Sequence, residues 1–139
     1  MEKIIDRLCR QLEENKYRFR RFNAPDGTEG ITLTFKGHNL DGVKVHVRAD
    51  RDNASFAVRC FDVCKVPEGR RAALEHLINE LNCKRRWFHF YIDPEGSVNA
   101  ACDAIVAPAT AGPVGQELIL RCVGAVDDCY PDLMKELWG

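Results

Sequence analysis

From Glu2 to about Asn15, the apolar residues Ile4, Ile5, Leu8 and Leu12 recur at three- and four-residue steps among Arg, Lys, Asp and Glu. That spacing predicts a short amphipathic helix with one buried stripe, which needs a sheet to cover it. Tyr17, Phe19 and Arg21 then alternate with Arg18, Arg20 and Phe22, a weak two-residue period that predicts a first edge strand before the turn at Pro25-Asp26-Gly27. Three strands with better alternation follow. Ile31, Leu33 and Phe35 oppose Thr32, Thr34 and Lys36; Val43, Val45 and Val47 oppose Lys44, His46 and Arg48; Phe56, Val58 and Cys60 oppose Ala57, Arg59 and Phe61. The polar connections Gly37 to Gly42 and Ala49 to Asn53 are short enough for hairpins, so the pattern is an antiparallel meander with one wet face.

Pro67 suits a first helical turn and Glu68 the positive end of a helix dipole; Leu74, Leu77, Ile78 and Leu81 continue that helix to near Asn82. A second strand pair comes next. Trp87, His89 and Tyr91 oppose Phe88, Phe90 and Ile92 in its first strand, Val98, Ala100, Cys102 and Ala104 share a face of its second, and Asp93-Pro94-Glu95-Gly96 is the turn between them. The Pro-, Gly- and Ala-rich stretch Ala107 to Gly115 reads as a linker. A last helix is expected from about Gln116 through Ile119, Val123, Val126 and Tyr130, interrupted at Pro131 with one more turn beyond it. The fold class is therefore α+β, an antiparallel sheet with helices in the order α-β-β-β(-β)-α-β-β-α.

At 139 residues and 45% apolar content, the chain can bury a core as a single domain, residues 1–139. A net charge of −1 supplies no whole-chain attraction to nucleic acid or anionic membrane. No run of 18 apolar residues predicts a membrane span, and Met1 to Arg10 lacks the apolar core of a secretory signal. Seven irregularly spaced cysteines are a poor disulfide framework and suit a reducing compartment, so the expected location is cytoplasmic.

Motifs for chemistry are sparse. Neither Ser55 nor Ser97 lies in a nucleophile elbow, and no phosphate-cradling glycine loop is present. Cys60 or Cys64 with a distant histidine would be needed for thiol catalysis, but buried free thiols account for both. Cys60 and Cys64 with Cys83 and His89 lack the paired spacing of a zinc site. Asp50 with Asp52, and Asp127 with Asp128, read as charge at a hairpin loop and a helix end, and His46 as a solvated histidine on a polar strand face. The expectation is no catalytic residue, no metal and no cofactor. Lys16, Arg18, Arg20 and Arg21, and then Lys84, Arg85 and Arg86, lie beside aromatics as single-strand binding requires, yet both sit at element junctions, so nucleic acid is the weaker expectation. The first strand of the second hairpin carries large groups on both faces. Phe88, Phe90 and Ile92 enter the core; Trp87, His89 and Tyr91 lie either under a helix or in a protein interface.

Leu81-Asn82, Phe88 to Asp93 before Pro94-Glu95-Gly96, and the closing Tyr130-Pro131-Asp132-Leu133-Met134, together with the element order, resemble the YbjN-like domain family over nearly the whole chain. That family's fold is similar to type III secretion chaperones, small dimers that bind extended segments of effector proteins, and its members are described as bacterial sensory-transduction regulators. No catalytic residues come with the resemblance, and the strongly acidic balance of the secretion chaperones is missing here. The resemblance implies a protein-binding or regulatory module with another protein as partner, a homodimer, and no enzyme. The alternatives are a small enzyme using a cysteine or carboxylate site, or a weak nucleic-acid-binding module.

Overall fold

The computed structural model describes residues 2–138, and its elements run α1 (Ile4–Glu14), β1 (Arg20–Asn23), β2 (Glu29–Phe35), β3 (Val43–Ala49), β4 (Ser55–Lys65), α2 (Arg71–Lys84), β5 (His89–Ile92), β6 (Ser97–Ile105) and α3 (Pro108–Trp138). All six strands join one antiparallel sheet in the order β1-β2-β3-β4-β6-β5. The α+β order anticipated from the hydrophobic pattern is the observed one. β4 and β5 both run antiparallel to β6 and hence parallel to each other, so α2 serves as the crossover between them and β6 fills the gap.

The helices pack on one face of the sheet. Ile4, Ile5, Leu8 and Leu12 of α1, Leu74 of α2, and Ile119, Cys122, Val126 and Leu133 of α3 join Phe56, Val58, Phe88, Phe90 and the three valines of β3 in one core. Five of the seven free thiols lie in this core; Cys64 is half-buried against it and Cys83 exposed. Burial pushes the thiols of Cys9 and Cys64 up to about 11.

Polar side chains supply partners where backbone ladders end. α1 has no cap of its own. Instead Asn53, in the β3–β4 hairpin at φ +60°, accepts the Ile4 N–H at 2.8 Å and donates to the Glu2 carbonyl at 2.9 Å. At the other end Lys16 adopts φ +64°, its N–H bonds the Glu13 carbonyl at 3.0 Å, and the Tyr17 N–H bonds that of Leu12 at 2.9 Å. This is a Schellman stop. It holds Tyr17 in the helix terminus, so β1 begins at Arg20 rather than at Tyr17. In the same way Gly69 at φ +85° forces a turn after Pro67, and α2 starts at Arg71.

The largest departure from the sequence reading lies in Ala107 to Gly115, which is not a linker: Pro108 to Gly115 form the first turns of α3, with Ala107 just before them. Its small residues form a packing face. An added Cβ at Gly112 would lie 2.9 Å from Gln11 Cβ, and one at Gly115 would lie 2.7 Å from Leu8 Cδ1 and 3.2 Å from the Phe56 ring. Burial of Ala111, Gly112 and Gly115 against α1 offsets the poor helix propensity of glycine. Pro108 occupies the first helical position, where its missing N–H costs nothing.

Pro131 does not divide α3 either. It leaves the carbonyl of Asp127, four residues earlier, without its helical donor, and Asn39 Nδ2 takes that place at 3.1 Å. Asp127 is therefore not helix-end charge. It is buried in mid-helix, and its carboxylate accepts the backbone N–H groups of His38 (3.0 Å), Asn39 (2.8 Å) and Leu40 (3.0 Å) from the β2–β3 loop. A side chain at Gly37 would collide with it.

Two outcomes are expected. Gly115→Val should lose about 1–3 kcal/mol by overpacking, whereas Gly124→Ala, on an open stretch of the same helix, should gain about 0.5–1 kcal/mol; urea denaturation of both variants distinguishes a packing face from an indifferent linker. The N–H groups of Asn39, His38 and Leu40 hold the Asp127 carboxyl below the ordinary aspartate value, against the opposing effect of burial. Its contribution is complete above the unfolded aspartate pKa and is lost as pH falls through the folded one. Asp127→Asn should lower the thermal midpoint at pH 7 and flatten the acid limb of the stability profile.

Candidate functional site: the helix-free face of the sheet

The register aligns one residue from every strand across the face that carries no helix. Arg20, Thr32, His46, Arg59, Ala101 and His89 stand opposite one another in sequence from edge to edge. A second row runs Phe22, Gly30, Arg48, Ala57 and Asp103. Gly30 is the position where a side chain would be blocked, because the Phe22 ring lies over it. That opening lets Phe22 approach His46 edge-on at 6.4 Å between ring centroids, and His46 in turn meets Phe61 at 5.3 Å. Three rings from β1, β3 and β4 thus form a continuous aromatic strip.

Phe61 is 51% exposed near the middle of the sheet. It ends the regular part of β4: Asp62 follows at φ +56°, the pairing with β6 slips by two residues between Cys60 and Cys64, and Val63 within this bulge is buried in the core. Asn99 accepts the Asp62 N–H at 2.8 Å and donates to Asp93 at 2.8 Å, while Asp93 also accepts the N–H groups of Glu95 and Ser97. One amide therefore couples the bulge below Phe61 to the β5–β6 turn.

The charge on this face is mainly positive. Arg59 pairs with Asp103 at 2.7 Å, but Arg20, Lys44 and Arg48 are exposed and have no ion-pair partner among the described residues. His46 is half-buried, with its Nδ1 3.2 Å from the Thr32 hydroxyl. Burial and then the Lys44 charge hold its pKa below the ordinary histidine value.

The proposed interface residues separate. His89 and Tyr91 lie on this face of β5, with ring centroids 6.2 Å apart. Trp87 does not. It precedes β5 at φ +73°, where the Phe88 N–H bonds the Arg86 carbonyl at 2.9 Å in a γ-turn, and this turn carries the indole out of the strand alternation to Arg121 of α3. It is 53% exposed and lies under no helix. The alternation of β5 gave no sign of a positive φ at Trp87. Conversely, His46 and Phe61 were placed on the polar face by alternation, and a large apolar residue at Phe61 was the available signal for a site there.

The chemical candidates are dispersed. Cys60 points into the core and His46 to the opposite face, so they cannot act as a nucleophile and its base. The Cys60 thiol is instead in contact with that of buried Cys122, whose pKa is raised by that hydrogen bond and by burial. Among the described residues no three His, Cys, Asp or Glu groups are placed to hold a metal ion, and no helix is long and apolar enough to cross a membrane. Asp52 is raised by the neighbouring Asp50, but both sit at an exposed hairpin tip. The two basic clusters stand at opposite edges of the sheet, beside β1 and β5, and do not converge.

A depressed histidine pKa means that the folded state binds fewer protons than the unfolded state between the two values, so stability falls as pH drops through this window. His46 should titrate below the ordinary histidine value by two-dimensional NMR, and His46→Gln should remove one proton's worth of pH dependence below about pH 6.5.

The sequence profile of the YbjN family, described as "Putative bacterial sensory transduction regulator", matches residues 5–129. Among solved structures, the "Crystal structure of YbjN, a putative transcription regulator from E. coli" aligns with a TM-score of 0.62 over 92% of this chain and 92% of that one, at 11% identity, a likeness of fold. None of the curated proteins compared with the chain matches it. The profile spans most of α1 through most of α3, and the chain belongs to the YbjN family.

Proposed function

We propose that this chain is a non-catalytic regulatory module that binds another protein across the helix-free face of its sheet. The observation that carries the proposal is the aromatic strip Phe22–His46–Phe61 beside Lys44 and Arg48, which are exposed and have no ion-pair partner among the described residues, on a face that none of the described helices covers. Exposed aromatics with arginine are favoured in protein interfaces, and uncompensated positive charge selects an acidic partner.

The β5 edge is less suited to binding. Both the N–H and the carbonyl of Phe90, which face away from β6, are taken by the side chain of Asn82 at 2.8 and 3.0 Å. Addition of a foreign strand there would first have to displace that amide. Contact by side chains on the face is therefore preferred to strand addition at β5. An extended acidic segment lying across the strands, as the resemblance to secretion chaperones implies, sets carboxylates against Lys44 and Arg48 and apolar groups against Phe22 and Phe61. A second copy of this chain fits less well, because two-fold stacking of the same face brings like charges together. The reading places the module in the cytoplasm, where its free thiols stay reduced.

A photoreactive benzoylphenylalanine at position 61 should crosslink to a discrete protein in the native host, and the same group at position 124 on α3 should not. Lys44→Glu with Arg48→Glu should cut the yield about tenfold. Crosslinking at 124 but not at 61, or yields indifferent to the two reversals, rules the face out. A dimer by sedimentation that dissociates on Phe61→Ala identifies a second copy as the occupant instead.

A further inference from the structure

Away from the sheet face, and independently of the function proposed for it, four cations gather around Trp87. Lys84 ends α2, Arg85 and Arg86 follow it, and Arg121 comes from α3; together with Trp87 they line an open pocket of about 580 Å³ whose one lining carboxylate is Asp132. The guanidinium carbons of Arg86 and Arg121 lie 5.3 and 5.5 Å from the indole centroid. Stacking on an aromatic ring fixes a guanidinium plane while leaving its N–H edge free to donate.

Neighbouring acids neutralise this cluster only partly. Arg85 reaches Asp128, and Arg121 reaches Glu117, each at 3.5 Å, whereas Lys84 and Arg86 have no carboxylate within ion-pair distance among the described residues. The C-terminal dipole of α2 accounts for Lys84 alone, since Arg86 and Arg121 lie outside that helix. The indole itself is held outward by a backbone conformation that bulky residues rarely adopt, in a chain whose net charge is −1. Strained residues of this kind concentrate at ligand sites.

The geometry points to a binding site for a ligand carrying adjoining phosphate groups, held by the Arg86 and Arg121 guanidinium groups and the Lys84 ammonium, with the exposed part of the Trp87 indole available to a base or other flat group on the same ligand. A single carboxylate would satisfy one of the two unpaired cations, Lys84 and Arg86, and leave the other. Two or three linked phosphates can reach both, together with the Arg121 guanidinium, whose contact with Glu117 is a long one at 3.5 Å.

The test uses the full chain with Trp138→Phe, which leaves Trp87 as the sole tryptophan. Inorganic pyrophosphate and ATP should each change its emission saturably at constant ionic strength, and sodium sulfate at the same ionic strength should not. ATP binding more tightly, by about tenfold or more, assigns the base to the indole; equal affinities assign recognition to the phosphates, and either result upholds the site. Arg86→Glu with Arg121→Glu should weaken binding at least about tenfold, read also by calorimetry. Lys84→Glu, at an exposed position, gives the same direction of effect should the double variant not fold. Absence of a saturable response to both phosphates, an equal response to sulfate, or undiminished binding by the folded charge-reversed variants overturns the inference.

Discussion

The close approach of α3 to α1 and β4 at Gly112 and Gly115 is the constraint on which the remainder of the molecule rests. A helix of 31 residues, about 46 Å long at 1.5 Å per residue, can serve three neighbours only if its first turns come near enough to bring Ile119, Val126 and Leu133 over the strands. Small side chains allow that distance. Once α3 is seated, α1 and α2 complete the cover on the same side. Among the described residues no helix remains for the opposite face, whose chemistry is therefore free to answer to something other than packing.

The joints between elements follow a common rule. Asn53 caps a helix from a distant hairpin, Asp127 receives three backbone donors from a loop, Asn99 ties a bulge to a turn, and Asn82 satisfies an edge residue. In each case a short polar side chain takes the place of a backbone partner where regular structure stops. Such groups cost free energy when buried alone and very little when fully paired, which gives them one acceptable arrangement and fixes the relative positions of the elements they join.

Hydrophobic periodicity made the element order legible, because burial of one face leaves a two- or 3.6-residue signature in strands and helices alike. It also placed Thr32, His46, Arg59 and Phe61 together on a wet face. What it could not reveal were features set by backbone torsion and by long-range partners. Trp87 followed the alternation of its strand in sequence but left it in space through a positive φ. Ala107 to Gly115 carried the composition of a linker, since nothing local distinguishes a glycine that frees the chain from one that admits a neighbouring helix. Asp127 read as surface charge for the same reason: its three donors lie nearly ninety residues away.

The Asn82 side chain closes β5 at Phe90, and this bears on stoichiometry. A sheet that can be extended at an edge has no natural limit, since each added strand offers a fresh edge to the next. Here growth on the β5 side ends within the molecule. Under the proposed mode of binding, an assembly built from the flat of the sheet is finite, one occupant to one sheet, and its extent is governed by the amount of partner present instead of by self-propagation.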